Sequence, residues 1–319
     1  MTTPNRPGEF ALIERFFKPL SRTTPFVRHG IGDDCAVLSL AVDDELVLSV
    51  DTLVEGVHFP CHYAPAKLAV RSLAVCISDL AAAGAHPEAF TLALTAPELN
   101  ESWLAEFSRV LAAEAERYGV SLVGGDTTRG PLCLSLQVMG SVPRGQALLR
   151  NGAQPGDLVY VSGELGGARA ALDYLESLSP TEAQQGYLQR YHSPLPRLAL
   201  GQALRGVANA AVDISDGLVA DLGHILRASG VGAIIYTERL PVAMGLRDVA
   251  QGVDYALSGG DDYELCFTVP GEYQAHLRAL EKTLALPLHC IGEVVDGAGL
   301  KCLDAEGVVY ETAAGYQHF

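Results

Sequence analysis

Segments with strand periodicity and segments with helix periodicity alternate along the whole chain. Alternation of this kind is typical of sheets covered by helices, and not of all-helical or all-strand proteins. The chain is therefore predicted to be α/β, with mixed sheets. In the first half the patterns predict helices at 8–20, 65–83 and 101–118, and strands at 35–42, 45–51, 90–96, 120–123 and 132–142.

A stretch of turn-forming residues at 150–157, RNGAQPGD, interrupts this alternation. At 319 residues the chain is longer than one typical domain, and its 49% hydrophobic residues suffice for a core in each half. We therefore predict two domains, 1–149 and 150–319. In the second, strands are predicted at 158–162, 208–214, 232–237, 264–269, 288–295 and 299–303, and helices at 167–178, 196–205, 217–229 and 272–284.

The net charge of −16 argues against a nucleic-acid partner, which requires a basic face. No apolar run approaches the roughly 20 residues that cross a bilayer. The polar start, MTTPNRPGEF, lacks the apolar segment of a signal peptide. The expectation is a soluble, cytoplasmic protein without a membrane partner. Its seven cysteines form no CxxC pair and are expected to be free thiols, mostly buried.

Aspartates preceded by glycine or serine recur at the ends of predicted strands and helices. Asp79 is the least ordinary of them, because it lies on the apolar face of the predicted helix 65–83, where an unpaired carboxylate is costly to bury. Carboxylates that share a cleft need cations, and the chain has only four lysines. Aspartate oxygens suit Mg²⁺, which shares its shell with phosphates. The motifs are GIGDD at 30–34, SVD at 49–51, SD at 78–79, GGDTTRG at 124–130, DISDG at 213–217 and GGDDYE at 259–264.

Each of these features also has an ordinary structural explanation. A single Gly-Asp or Ser-Asp pair is most often a turn or a helix cap, and Asp216 could cap the helix that follows it. The glycine-rich turn at 163–167 could seat a phosphate or could be a packed strand-to-helix connection. The cluster His58-Phe-Pro-Cys61-His62 could suggest zinc, but it lacks a second ligand pair.

Seven motifs, in chain order, resemble those of the thiamine-monophosphate kinase family. The resemblance spans essentially the whole chain and implies a two-domain fold like that of aminoimidazole ribonucleotide synthetase. It also implies transfer of a phosphoryl group from ATP to thiamine monophosphate, several Mg²⁺ ions, and a homodimer formed through the first domain. The motifs are GIGDDCAV at 30–37, SVDTLVEGVHF at 49–59, SDLAAAGAHP at 78–87, GGDTTRG at 124–130, DISDGLVADL at 213–222, SGGDDYEL at 258–265 and GYQHF at 315–319.

The resemblance also implies roles for single residues. The first domain would bind ATP and metal, and the second would complete the site. Metal ligands would be Asp34, Ser49, Val50, Asp51, Asp79, Asp126, Asp213 and Asp216; ATP contacts would be Gly125, Asp126, Arg150 and Ser215; contacts to the thiamine phosphate would be His58, Asp261 and Tyr316.

Two of these positions depart from the family pattern. The family commonly has threonine where Val50 stands, so any ligation there uses the backbone carbonyl. It commonly has glutamate where Asp261 stands. His58 and Tyr316 could also be ordinary packing residues.

An acceptor phosphate is already a nucleophile, so we predict direct in-line transfer and no catalytic nucleophile on the protein. The alternatives are another ATP-dependent synthetase of the same superfamily and a non-catalytic metal- or nucleotide-binding protein. A selenophosphate synthetase-like activity would need a reactive cysteine near the N-terminus, and none precedes Cys35.

Overall fold

The computed structural model describes residues 9–98, 100–313, 315 and 316. They divide into two compact units. The first unit ends at Arg144, and the second begins at Gly145 and also includes Ala81–Ala85. The assignment of ATP binding, metal binding and dimerisation to the first of the two predicted domains remains a prediction.

The first unit begins with α1 (Glu9–Leu12), which continues as a π-helical turn and a 3₁₀ turn up to Leu20. Pro19 has no N–H for an α-helical bond, which agrees with the tighter last turn. Its other elements are β1 (Val27–His29), β2 (Val37–Leu38), β3 (Asp44–Val54), α2 (Pro65–Ala82), β4 (His86–Ala96), α3 (Glu101–Tyr118), β5 (Ser121–Arg129) and β6 (Cys133–Pro143).

Four of these strands form one sheet in the order β3-β6-β4-β5. Only β4 and β5 are parallel, and β3 is an edge strand. Helix α3 has clear end signals: the Asn100 side chain accepts from two backbone N–H groups at its start, and Gly119 ends it in the left-handed conformation. Both long helices bury apolar residues, among them Leu73, Ile77, Phe107 and Leu111.

The second unit is built around a sheet of six strands, in the order β12-β9-β11-β7-β10-β8. All neighbouring strands are antiparallel except β12 and β9. The elements of this unit are β7 (Leu158–Ser162), α4 (Gly167–Ala171), α5 (Glu182–His192), α6 (Leu198–Ala203), β8 (Ala210–Asp213), α7 (Leu218–Ser229), β9 (Gly232–Tyr236), α8 (Gly252–Ser258), β10 (Leu265–Val269), α9 (Gln274–Leu284), β11 (Leu288–Val295) and β12 (Gly299–Leu303).

Both faces of this sheet are buried. Val159 and Val161 of β7 belong to one apolar cluster together with Leu222 of α7. Tyr160, which lies between them in the strand, belongs to the other cluster together with Leu277 of α9. Successive side chains of a strand point to opposite faces, so helices cover the sheet on both sides.

Several predicted elements differ from the observed ones. The strand predicted at 35–42 is reduced to β2, and the α-helix predicted at 167–178 ends at Ala171, followed by a 3₁₀ turn. Helices α5 and α8 were not predicted, because α5 buries only Tyr187 and Tyr191 and α8 has seven residues. In the described part of the chain, no helix is long and apolar enough to span a membrane.

Candidate active site

In the first unit, three predicted metal ligands lie on facing elements. Alternation along β3 places Ser49 and Asp51 on its less exposed face, and Asp79 lies near the end of α2. The Ser49 hydroxyl donates a hydrogen bond to Asp79 Oδ2. Asp79 is therefore partnered, as the cost of burying a carboxylate on an apolar helix face requires.

Asp51 lies close enough to Asp79 for the two carboxylates to interact. Burial, followed by the negative charge of Asp79, raises the pKa of Asp51 to about 6. The thiol of Cys76 is hydrogen-bonded to Asp51 and opposes this rise. Burial and the charge of Asp51 raise the pKa of Cys76 well above its ordinary value, so the thiol keeps its proton and acts as the donor.

A second group of predicted residues lines a cavity of about 640 Å³ in the same unit. Asp34 belongs to the loop after β1, while Gly125 and Asp126 belong to β5, and all three are exposed. Gly125 has φ 156°, and a Cβ there would lie 1.9 Å from the carbonyl oxygen of Leu92 in β4. Glycine at this position therefore permits the close approach of β4 and β5.

Val50 lies within β3, and His58 lies in the turn that follows this strand. The Val50 side chain is 61% exposed and points away from Ser49 and Asp51, so only its backbone could join them. His58 Nδ1 accepts a hydrogen bond from the Val54 N–H at 3.0 Å. In the neutral ring the hydrogen is then carried by Nε2, which makes that atom a donor.

In the second unit, the predicted residue Asp213 ends β8, and Ser215 and Asp216 lie in the connection from β8 to α7. Asp216 does not cap α7, since the N-cap is Gly217 and no side chain bonds there. Asp221 braces the connection instead: its Oδ2 accepts from the backbone N–H groups of Ser215, Asp216 and Gly217 at 3.0 to 3.1 Å.

Asp216, Asp221 and His224 form a cluster whose possible ligand atoms lie within 4.8 Å of one another. Burial, and then the charge of Asp216, raise the pKa of Asp221 to about 7. Burial and then the positive charge of Arg150 lower the pKa of His224, so Arg150 acts on this end of the second unit. One oxygen of Asp221 already accepts three backbone N–H groups of the connection.

Asp261 and Tyr316 lie against the same connection. The Asp261 N–H donates to the carbonyl oxygen of Ser215 at 2.8 Å, and the Tyr316 N–H donates to that of Asp216 at 3.0 Å. The Asp261 side chain is half-buried, and Tyr316 is exposed. The last residues of the GYQHF motif, 317–319, lie outside the described residues.

Two alternative interpretations of the sequence receive no support from the described residues. In the glycine-rich turn at 163–167, the Gly166 N–H donates to Asp262 Oδ2 at 2.8 Å, so a carboxylate occupies the place predicted for a phosphate. No metal-binding group includes Cys61 or His62. All seven cysteines are free; three are buried, two are half-buried, and Cys35 and Cys61 are exposed.

Three residues of these groups were not predicted from the sequence. Cys76 lies three residues before Asp79, and Asp221 and His224 are three residues apart, so each pair shares a helix face. The three-residue spacing was the signal from which these residues could have been predicted. They were not predicted because cysteine and histidine in apolar helices are more often packing residues.

The chain matches the two family models of AIR synthase related proteins, the N-terminal domain at residues 32–142 and the C-terminal domain at 154–304. The fold and these matches define a two-domain protein of that class. It is 46% identical over 320 residues to the thiamine-monophosphate kinase of Salmonella typhimurium, and the match covers 98% of both chains.

Two solved structures show which family within this class the chain resembles. The crystal structure of thiamine-monophosphate kinase from Stenotrophomonas maltophilia is 43% identical, with a TM-score of 0.86, and the match covers 95% of this chain and 98% of that one. A structure of AaThiL complexed with AMPPCP and TMP is 33% identical, with a TM-score of 0.78 and coverage of 100% and 99%. The chain therefore belongs to the thiamine-monophosphate kinase family, and the predicted fold class and kinase class are confirmed.

Proposed function

We propose that this chain transfers the γ-phosphoryl group of ATP to thiamine monophosphate, which yields thiamine diphosphate and ADP. Two findings support the proposal: the family membership, and the structure of AaThiL with AMPPCP and TMP. The observation in this molecule that carries it is the group of Ser49, Asp51 and Asp79 in the first unit.

The donor set of this group fits Mg²⁺. A hydroxyl and two carboxylates are hard oxygen donors. Burial and then the negative charge of Asp79 raise the pKa of Asp51, and a cation would oppose both effects. When bound, Mg²⁺ supplies positive charge to crowded phosphate oxygens. We assign metal binding in the first unit to Asp34, Ser49, Asp51, Asp79, Asp126 and the backbone of Val50, and in the second unit to Asp213 and Asp216.

We assign ATP contacts in each unit separately. In the first, Gly125 and Asp126 line the cavity described above. In the second, Ser215 lies in the braced connection, and the guanidinium of Arg150 is a permanent cation suited to phosphate oxygens. We place Arg150 and Ser215 on the nucleotide because their positions match those of the family's motifs.

For the acceptor we assign His58 in the first unit, and Asp261 and Tyr316 in the second. The Val54 N–H fixes the His58 tautomer, so Nε2–H can donate to an anionic phosphate oxygen. The acceptor phosphate itself attacks the γ-phosphorus in line, and the bond to the leaving ADP oxygen breaks. No side chain has to carry the phosphoryl group, so the protein's task is to position the reactants and to balance their charge.

We also propose a cytoplasmic homodimer that forms through the first unit. Strand β3 is an 11-residue edge strand, and its outer face exposes Leu46, Leu48 and Val50. A long apolar edge strand is a template for pairing with another chain, and soluble proteins usually cover it.

The deciding experiment is an assay with ATP, Mg²⁺ and thiamine monophosphate, in which thiamine diphosphate is measured by chromatography. We expect one ADP for each thiamine diphosphate and no product without Mg²⁺. Incubation with γ-labelled ATP alone should leave no label on the denatured protein. Binding of ATP without any turnover of thiamine monophosphate would contradict the proposal and favour a non-catalytic binding protein.

A further inference from the structure

The loop from Gly259 to Glu264 in the second unit has an unusual backbone. Asp261 has φ 65° and Tyr263 has φ 51°. Non-glycine residues seldom adopt this left-handed conformation, and those that do concentrate where a ligand is bound. Four non-glycine residues in the described part of the chain have a positive φ, and two of them belong to this loop.

Buried anchors hold the loop from within. Glu264 is buried and receives hydrogen bonds from two nitrogens of Arg197, with Nε to Oε2 at 2.7 Å, and from the Ser162 hydroxyl at 2.5 Å. Asp262 is also buried, and its Oδ2 receives the Gly166 N–H. The two inward acidic side chains are thus held by Ser162, Gly166 and Arg197 of the same unit.

The backbone of the loop is held as well. The Asp261 N–H donates to the carbonyl oxygen of Ser215 at 2.8 Å, and the Tyr263 N–H donates to that of Ile214 at 2.9 Å. The loop therefore keeps its conformation through groups other than the side chains of Asp261 and Tyr263.

Those two side chains alternate with the buried anchors and are both half-buried. The Tyr263 hydroxyl donates a hydrogen bond to Asp261 Oδ1 at 3.0 Å. Since the backbone is held by other contacts, the chief effect of this bond is to restrict the Asp261 carboxylate to one orientation. A rigid aromatic side chain is well suited to this, because it loses little freedom of its own.

We propose that Tyr263 is a positioning residue, which fixes the Asp261 carboxylate for contact with the heterocyclic end of the acceptor. This inference rests on the proposed function. Thiamine monophosphate carries a positively charged thiazolium ring and an amino group at one end, and an anionic phosphate at the other. A carboxylate attracts the first end and repels the second.

The test compares Tyr263→Phe, Asp261→Asn and the double variant with a matched control. The control is Tyr310→Phe, because the Tyr310 hydroxyl donates to Asp254 Oδ1, also at 3.0 Å, in the same unit and outside the predicted site. We expect Tyr263→Phe to raise the KM for thiamine monophosphate by about fivefold, as loss of one hydrogen bond would. The KM for ATP should stay within about twofold, since those contacts are unchanged.

Coupling within the pair separates positioning from a general effect on the fold. In the Asp261→Asn background, Tyr263→Phe should have little further effect, because the group that it positions is already lost. If Tyr263→Phe raised the KM by the same factor in the unaltered chain and in the Asp261→Asn background, the inference would be overturned. A rise in KM for Tyr310→Phe as large as that for Tyr263→Phe would also overturn it. If Tyr263→Phe lowers the melting temperature, the KM of the double variant compared with that of Asp261→Asn still shows whether Tyr263 acts through Asp261.

Free thiamine, which lacks the phosphate, identifies the end of the acceptor that Asp261 meets. Its inhibition constant should rise in Tyr263→Phe and Asp261→Asn by the same factors as the KM for thiamine monophosphate. Inhibition that is absent in the unaltered chain, or unchanged in both variants, would refute contact with the heterocyclic end. Failure of the unaltered chain to form thiamine diphosphate would instead refute the proposed function, so the two failures are distinguishable.

Discussion

Single residues of the first unit show how neighbours change a carboxylate's chemistry. Asp51 and Asp79 are both aspartates on predicted site motifs, yet each has its own partner: the Ser49 hydroxyl bonds Asp79, and the Cys76 thiol bonds Asp51. These donors hold the two side chains in place without adding positive charge. Both donors are neutral, and the negative charge of Asp79 still contributes to the raised pKa of Asp51.

Asp126→Asn should abolish most phosphoryl transfer without unfolding the chain. Asp126 is exposed on β5, so its replacement removes charge but no packing. Loss of one metal–phosphate contact should lower kcat/KM by about two orders of magnitude. Asp43→Asn, at an exposed aspartate in the turn before β3, is the control and should retain activity. Near-normal turnover of Asp126→Asn, with native circular dichroism, would remove this residue from the site.

The metal requirement should depend on pH through Asp51. Its pKa of about 6 lies above the ordinary 3.8, so protonation stabilises the metal-free fold. That contribution is fully present below pH 3.8 and is lost as the pH rises through 6. Mg²⁺ competes with this proton, so the apparent Mg²⁺ affinity should fall by about tenfold per pH unit below 6.

The Cys76→Ala variant separates this effect from the titration of the nucleotide. Without the donating thiol the pKa of Asp51 should rise further, which would move the acidic limb of the Mg²⁺ affinity towards higher pH. Cys133→Ala, at a half-buried cysteine outside the group, should leave the limb in place. Identical profiles for the two variants and the unaltered chain would exclude Asp51 as the titrating ligand.

At the scale of elements, β3 has two different faces. Ser49 and Asp51 lie on one, and Leu46 and Leu48 on the other, because side chains alternate along a strand. The strand therefore contributes to the predicted metal site and to the exposed apolar edge at the same time. A one-residue slip in its pairing with β6 would exchange the two faces.

Leu48→Asp should shift the protein from dimer to monomer. A carboxylate in an apolar interface is costly, and an increase of at least about tenfold in the dissociation constant is expected. Sedimentation at several concentrations measures it. Leu178→Asp is the matched control, since Leu178 is 99% exposed in the second unit. Equal dimerisation of both variants would show that β3 is not the interface.

The sequence indicates some helices more clearly than others. Helix α3 was predicted with its observed bounds, and the structure shows an Asn100 cap at its start and a left-handed Gly119 at its end. Helix α5 was missed, although Thr181 and Gln184 form a capping box at its start. Its apolar stripe is too thin to predict a helix, since tertiary contacts of two tyrosines supply most of its burial.

For the whole molecule, the acidic balance is the property most relevant to its substrates. A net charge of −16 repels free ATP and thiamine monophosphate at long range, and salt screens this repulsion. Binding of phosphates then depends on cations located at the site itself. Metal and nucleotide should consequently bind together more tightly than either alone.

Mg²⁺ with a non-hydrolysable ATP analogue should raise the melting temperature. Ligands that bind only the folded state stabilise it by roughly 2.7 kcal/mol at a hundredfold excess over the dissociation constant, which is about 5 °C or more for domains of this size. Sodium chloride at matched ionic strength should do less, since it screens charge without occupying a site. The shift should be small in Asp126→Asn. A salt effect as large as that of the ligands would make these aspartates ordinary surface charge.

The sequence alone determined the class of fold, the kinase family and the aspartates that are candidate metal ligands. These depend on local signals: the period of apolar residues, the turn-forming residues, and short motifs in a fixed order. Only the tertiary structure decided which of these residues meet. Ser49 and Asp79 are thirty residues apart, and strand periodicity tells which face a side chain occupies but not which helix covers that face.

The same reason applies to the residues that support the site. Cys76 and Asp221 look like ordinary members of apolar helices, and their roles arise from packing against β3 and from the turn that Asp221 closes. The left-handed loop at Asp261 also depends on buried carboxylates bound to distant segments. Contacts between residues far apart in sequence exist only after the chain has packed, so no local pattern encodes them.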